Sequence, residues 1–410
     1  MQNSTDTQNL PGELTAPIPA SAPPRLFAYN YVKQWGIALR AIAPIYIAVH
    51  VVFIVLSYCS NLFPIDNFSP KVINPDALYL SWFSWDGAQF LHIAQFGYTS
   101  SYRTAFFPLY PMLEGRLTFI THDPLIAGLL ISNLASLGLC MVFYRLVRED
   151  FGHEQAYRAV LYLSIFPTAF FLAAGYNESL FIFLTLLSFY AMRRECWWLA
   201  GLAGLLASLT RSAGLVLLVP FLYEYLRRRD FKASRVRLDI LASLGIPAGV
   251  AAFAAYCSYR FHDFLAFSHA QALWGRHLSW PWTGTRGALS TIVHSPFLSF
   301  NSMHNVIDLS ADALLFLLLA LCFTGPWKLS REQRAYGLYG ATFYLFLLLF
   351  PATTTFPLVS LSRFALELFP AFIVLAAIGK NRQFNLYYTI IGGALLSFLL
   401  LQFLLGRWIV

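Results

Sequence analysis

Residues 125–146 read LIAGLLISNLASLGLCMVFYRL, with a single charge, Arg145, near the end. A helix crossing a bilayer core about 30 Å thick needs about 20 largely apolar residues, so this stretch reads as a membrane span. Comparable runs occupy 41–59, 159–176, 179–193, 197–209, 213–226, 240–260, 311–327, 335–351, 364–379 and 386–405. The pattern predicts an all-α, polytopic transmembrane helical bundle of about 11 spans. Several runs are short, and 197–209 with 213–226 forms either a tight hairpin or one long broken helix. Composition agrees. Of 410 residues, 58% are hydrophobic and 12% charged, against roughly 25% charged in soluble domains, and mean hydropathy is +0.58. Soluble globule, disordered chain, coiled coil and disulfide scaffold are excluded for the chain as a whole.

Residues 1–24 are rich in Pro, Ser, Thr and Ala and are expected to form a disordered tail, since they cannot bury enough surface to offset their ordering entropy. No basic segment precedes an early apolar run, so a cleavable signal is not expected. Residues 25–410 read as a single transmembrane domain. With the N-terminus in the cytoplasm, most of the 28 Lys and Arg fall on cytoplasmic loops, as the positive-inside rule requires. Two long loops, about 60–104 and 261–310, then face outward. The net charge of +8 is mainly a topology signal, and no nucleic-acid motif accompanies it. The five cysteines are scattered, mostly in apolar runs, and read as small buried hydrophobes. Nine cations resist the topology reading: Lys71, Arg103, Arg116, Arg211, Arg260, Arg276, Arg286, Arg363 and Arg407.

In the first outer loop, residues 78–96 carry Trp82, Trp85, Gln89, Ile93 and Phe96 at three- and four-residue steps, which predicts an interfacial helix. Asp86, Gln89 and His92 follow at three-residue steps and share about a third of its circumference. Asp86 is the candidate base; the plain alternative is a solvated loop carboxylate beside an aromatic anchor. The run 105–120 is aromatic and proline-broken and reads as lying at or dipping into the interface. Arg211 and Arg363 sit in or beside apolar runs, where an ionisable group needs a purpose or a partner, and guanidinium suits phosphate. Interface snorkelling is the alternative for Arg211. For Arg363 it is a pair with Glu367 at the i,i+4 spacing. Arg276 is a third phosphate candidate, or a solvated loop cation. Glu178 opens a helix whose N-terminus faces outward, where it orients substrate hydroxyls or simply complements the helix dipole. Trp274 is a candidate sugar-stacking residue, whereas Trp280 reads as an interface anchor.

Five segments, in order, carry a resemblance. WDGAQFLHIAQFGY (85–98) with AFFPLYP (105–111) resembles the signature of the GPI mannosyltransferase 2 (PIG-V) family and its prokaryotic relatives, within the GT-C superfamily. GYNESLFIFLTLLSFYAM (175–192), WWLAGLAGLLASLTRSAGLVL (197–217), FLAFSHAQALWGRHLSWPW (264–282) and LSRFALELFPAF (361–372) are similar to further family segments. The resemblance implies a GT-C type enzyme that transfers a mannosyl unit from a polyprenyl-phosphate donor to a lipid- or protein-linked acceptor on the non-cytoplasmic face. It places Asp86 at the catalytic position, with inversion in one displacement, and a hydrophobic groove for the lipid beside it. The substrate-binding candidates are Trp85, Gln89, His92, Arg103, Glu178, Arg211, Trp274, Arg276 and Arg363. A prokaryotic plasma membrane is expected over the endoplasmic reticulum, because large luminal insertions are missing.

No cofactor is expected, and a metal is disfavoured: the second-loop histidines show no HxxxH or HExxH spacing, and Asp66, Asp76 and Asp86 form no compact DxD, which leaves open only a Mg²⁺ or Mn²⁺ site built from distant groups. Two other classes remain open at this point, a lipid-linked glycan polymerase or ligase, and a polytopic transporter or flippase.

Overall fold

The computed structural model describes residues 24–62 and 75–407. The tail expected over 1–24 falls outside them but for Pro24, which opens the first helix. The helices, in chain order, are α1 (Pro24–Leu62), α2 (Pro75–Leu80), α3 (Asp86–Phe96), α4 (Leu109–Thr121), α5 (Pro124–Phe151), α6 (His153–Ser164), α7 (Glu178–Arg193), α8 (Trp197–Thr210) and α9 (Leu218–Arg227). They continue as α10 (Gly245–Phe261), α11 (Ala266–Leu273), α12 (Thr283–His294), α13 (Phe300–Leu321), α14 (Arg334–Leu349), α15 (Leu361–Phe364), α16 (Phe369–Ile378) and α17 (Arg382–Leu404). Among the described residues the rest is loop, 3-10 turns and one isolated antiparallel bridge, Arg276 with Ala352.

This is an all-α, multi-pass membrane protein. Five segments are long and apolar enough to cross a bilayer: Val32–Leu62, Pro124–Phe151, Leu238–Phe261, Phe300–Leu321 and Arg382–Leu404. Leu361–Glu367 with Phe369–Ile378, bent by 82°, makes a sixth if the pair counts as one span. By length and composition, five or six segments thus qualify, where the apolar runs predict about eleven spans, several of them short. Several apolar runs fold as shorter pieces for local reasons. The run 159–176 is cut after Ser164 by Pro167, which disfavours helix at the residue before it. The run 213–226 begins as 3-10 turns over Ser212–Leu217 before α9. At Gly214 an added Cβ would lie 2.6 Å from the backbone of Ser208, so the chain doubles back tightly after α8. The hairpin alternative holds there.

The interfacial helix is also corrected. Residues 78–96 form two helices, α2 and α3, broken at Ser81–Trp85. Trp85 takes φ 57°, a left-handed backbone value unusual for a bulky side chain. The break is pinned from both sides: Trp82 Nε1 donates to Ser57 Oγ at 2.9 Å, and Tyr176 Oη donates to the Ser84 carbonyl at 2.7 Å. Its effect is to start α3 at Asp86, with the carboxylate on the first turn.

Charge separates the two ends of the bundle. One end gathers Arg193 with Asp150, Arg194 with Glu149 (2.6 Å), Arg228 with Glu224 (3.0 Å) and Arg229 with Asp239 (2.7 Å). The other gathers Asp86, Glu178, Arg211 and Arg363. Between them lies an aromatic core, in which Phe369 meets Phe143, Phe189 and Tyr339 at ring distances of 6.0, 5.2 and 5.3 Å. A seam of small residues joins α8 to the 238–261 segment. A Cβ on Gly201 would come 2.1 Å from the Ala242 carbonyl oxygen, and one on Gly249 2.5 Å from that of Leu205. Backbones this close are what small residues permit between membrane helices.

Candidate active site

Four elements deliver the charged side chains. Asp86 stands on the first turn of α3, and Glu178 on the first turn of α7. Arg211 caps α8 in an extended conformation, φ −155° and ψ 143°, which ends that helix and turns the side chain inward. Arg363 lies in the four-residue α15, just before the 82° bend.

Their side chains form a chain of ion pairs. Arg363 Nη1 is 2.9 Å from Asp86 Oδ2, and its Nε is 3.2 Å from Glu178 Oε1. The same Glu178 oxygen lies 3.1 Å from Arg211 Nη1, which also meets Glu367 Oε1 at 2.6 Å. Glu178 and Glu367 are sealed, at 1% and 0% exposed, while the Asp86 side chain keeps 26%. The open edge of the cluster is therefore at Asp86. Aromatic faces support the cations: Phe364 lies 4.5 Å from Arg211 and 5.0 Å from Arg363, a favourable contact for desolvated guanidinium. Arg363 and Glu367 do not form the i,i+4 pair considered from the sequence. Residues 365–367 are 3-10 turns, so α-helical spacing does not apply, and Glu367 goes to Arg211.

Arg276 completes the arrangement differently. Its Nη1 and Nη2 donate to the carbonyls of Phe350 and Val359, both at 3.1 Å. Its electrostatic neighbours are Arg363, Arg211 and Asp86, and desolvation with the two arginines pulls its pKa down to about 10. Three arginines thus face three carboxylates, and among the described residues Arg276 has no carboxylate in ion-pair contact. Such a cation is under-neutralised, the condition that attracts an anion.

The other candidates take separate positions. Trp85 is half exposed beside Asp86. Gln89 keeps a buried Oε1 without a hydrogen-bond partner among the described residues. His92 Nε2 pairs with Thr99 Oγ1 at 3.1 Å, and Arg103 Nη1 donates to Thr99 and Ser100 at 3.2 and 3.3 Å. His92 and Arg103 therefore build a small group around Thr99, outside the ion-pair chain. Trp274 stacks on Tyr102 at 4.9 Å and stands edge-on to Phe106 at 5.8 Å, while Gln271 Nε2 donates to the Ala105 carbonyl at 3.3 Å. The two outer loops are joined there. Trp280 and Trp282 stack on each other at 5.3 Å, largely exposed.

The sequence reading assigns no site role to two buried carboxylates, one in the ion-pair chain and one away from it. Glu367 was seen only as a helical partner. Glu114, on α4, is fully buried, and neither of its carboxylate oxygens has a hydrogen-bond partner among the described residues. It lies against Gly128, where a Cβ would come 2.9 Å from Oε1, and the Tyr110 hydroxyl donates to the Gly128 carbonyl at 3.0 Å. The signal was present: a lone acid inside the aromatic run 105–120. Among the described residues no three His, Cys, Asp or Glu side chains are arranged to hold a metal ion, and Asp66 lies outside those residues.

A polytopic helical membrane protein with a buried arginine–carboxylate cluster at one end is the class that fold and site define. Within it, residues 37–238 match the family described as Mannosyltransferase (PIG-V), the stretch that carries Asp86, Glu178 and Arg211. The chain is 34% identical over 198 residues to GPI alpha-1,6-mannosyltransferase 2 of Rattus norvegicus, covering 44% of this chain and 40% of that one. It is 28% identical over 144 residues to GPI mannosyltransferase 2 of Schizosaccharomyces pombe, covering 34% and 31%. The matches thus span two fifths or less of these relatives' length. Among solved structures, ArnT from Cupriavidus metallidurans bound to undecaprenyl phosphate aligns with TM-score 0.47 at 15% identity, over 81% of this chain and 59% of that one. The Archaeoglobus fulgidus oligosaccharyltransferase AglB in complex with an inhibitory peptide and a dolichol-phosphate aligns with TM-score 0.42 at 12% identity, over 88% and 56%.

Proposed function

We propose that this protein is an integral-membrane mannosyltransferase of GT-C type that moves a mannosyl unit from a polyprenyl-phosphate donor to a lipid- or protein-linked acceptor. The similarity of residues 37–238 to PIG-V mannosyltransferases supports the reaction class. One geometric observation carries the mechanism: Asp86, the most open carboxylate of the cluster, shares Arg363 with the sealed Glu178.

The acceptor hydroxyl attacks the anomeric carbon, its proton passes to Asp86, and the lipid phosphate leaves with the bonding electron pair. A positioned base contributes roughly 10²–10⁴-fold. Arg276, with Arg363 and Arg211 beside it, holds the phosphate and stabilises the charge that develops on it. Arg363 Nη1 lies against Asp86 Oδ2, and a phosphate that draws Arg363 away frees that oxygen to receive the acceptor's proton when donor is bound. The displacement is single and inverting, because it needs one base and no covalent intermediate.

In this reading the basic end of the bundle faces the cytoplasm and the Asp86 end faces outward, in a prokaryotic plasma membrane. The shorter helices α6, α7, α8, α9 and α14 traverse alongside the five long segments and the bent pair, completing an eleven-pass topology. The test is incubation of membranes holding the protein with radiolabelled polyprenyl-phosphate-mannose, followed by isolation of the labelled product. Transfer that falls by at least a hundredfold in Asp86→Asn supports the mechanism. Transfer at the wild-type rate in Asp86→Asn overturns it, and lipid or sugar transport without any transfer overturns the enzyme reading.

A further inference from the structure

The basic end of the bundle holds a feature that the transfer reaction does not use. Most arginines there are neutralised. Arg145 and Arg194 meet Glu149, Arg193 meets Asp150, Arg227 and Arg228 meet Glu224, Arg229 meets Asp239 and Arg235 meets Asp230. The loop from α13 to α14 is different. Lys328, Arg331 and Arg334 are exposed, and none has an ion-pair partner among the described residues. The one acid in that loop, Glu332, lies in electrostatic reach of Asp150 and Arg227, towards the neutralised network.

These three cations surround a cavity of about 400 Å³, lined also by Phe323, Leu329 and Ser330. Its mixed lining is informative. Phe323 is 41% exposed and the neighbouring Trp327 36%, so the rim offers apolar contact as well as charge. The membrane-spanning helix α13 leads away from it with Phe316 and Leu317 exposed at 63% and 54%, a surface suited to acyl chains. The cavity also borders the start of α14, whose first backbone N–H groups favour an anion.

We propose that this cavity is a binding site for the phosphate headgroup of an anionic phospholipid, with the acyl chains lying along α13. Basic pockets between spanning helices recognise such headgroups, each Lys or Arg contributing about fivefold in affinity at the surface. A phosphate held there by three cations joins the end of α13 to the start of α14 from outside the chain. The site stands apart from the Asp86 cluster, so its test is independent of transfer activity.

The experiment is native mass spectrometry of the purified full-length protein titrated with phosphatidylglycerol, with phosphatidylcholine as the zwitterionic comparison. Wild type should retain one phosphatidylglycerol in preference to phosphatidylcholine. The combined variant Lys328→Gln, Arg331→Gln, Arg334→Gln should bind it roughly a hundredfold more weakly, and each single variant about fivefold. The single variants keep the test valid should the combined one fail to fold. Arg148→Gln removes an exposed cation at the same end but away from the cavity, and should leave binding unchanged. Displacement of the lipid by excess inorganic phosphate supports the phosphate chemistry and identifies a soluble phosphate as an alternative source. Equal retention by wild type and the cavity variants, or an equal loss in Arg148→Gln, overturns the proposal.

Discussion

Arg363 is the residue on which the electrostatics of the site turn, because it touches the open Asp86 and the sealed Glu178 at once. Only a guanidinium has donors spread widely enough to serve both carboxylates; an ammonium is a compact point charge. Arg363→Lys should therefore lose one of the two contacts and lower kcat/KM for the lipid donor by about 10–100-fold, the worth of a charged hydrogen bond. Steady-state kinetics over a donor titration reads this directly. Glu367→Gln removes a wholly buried charge that pairs with Arg211 at 2.6 Å. Arg211 still holds Glu178 at 3.1 Å, so the loss is that of one charged contact, about 1.5–3 kcal/mol, and thermal denaturation in detergent should show a lowered Tm. At this scale much of the site was legible. Asp86, Glu178, Arg211 and Arg363 stood out because charge is scarce in an apolar chain, and the structure brings all four together. The alternative pair of Arg363 with Glu367 fails because helical spacing does not hold on the 3-10 backbone of Ala365–Glu367. His92 shares a helix with Asp86, yet its bond to Thr99 comes from the loop that follows the helix, and residue spacing carries no information about that fold-back.

At the scale of elements, hydrophobic periodicity located helices but not their breaks. Residues 78–96 are apolar at helical steps throughout, and still the chain breaks at Trp85. The cause is tertiary: Ser57 and Tyr176, distant in sequence, hold the two sides of the break. The contact of α8 with the 238–261 segment shows the reverse case, where local composition was informative in principle. Gly201, Gly204, Gly245 and Gly249 mark a seam that lets two backbones touch. Gly201→Ala should push the segments apart, since its Cβ would sit 2.1 Å from a backbone oxygen that cannot yield. Overpacking of this kind costs about 1–3 kcal/mol, visible as a lower Tm. Gly393→Ala, in α17 with nothing within 4 Å of the new Cβ, should be neutral or stabilising by about 0.4–1 kcal/mol. Equal destabilisation by both substitutions would contradict the seam.

For the molecule as a whole, the decisive question is whether the two charged ends lie on opposite sides of the bilayer. Helix α7 runs from Glu178 in the cluster to Arg193 in the basic network, and its 16 residues extend about 24 Å. That is short of a hydrocarbon core of about 30 Å, yet α7 is buried along nearly its whole length. A helix sheathed by neighbours does not have to match the bilayer by itself, which is why counting apolar residues is a poor guide to how many times an interior chain crosses. The basic network explains the rest of the orientation: arginines from α5, α7 and α9 meet at one end, as the positive-inside bias expects of a cytoplasmic face. Cysteine labelling tests this. Cys196 is exposed at the basic end, between α7 and α8, and Ser101 is exposed beyond α3 at the other. Each should be placed alone in a background where the remaining cysteines are replaced. An impermeant maleimide applied to intact cells should label Ser101→Cys at once and Cys196 only after permeabilisation. Labelling of both from the same side would remove the odd number of crossings between them, and with it the assignment of the Asp86 cluster to the outer face.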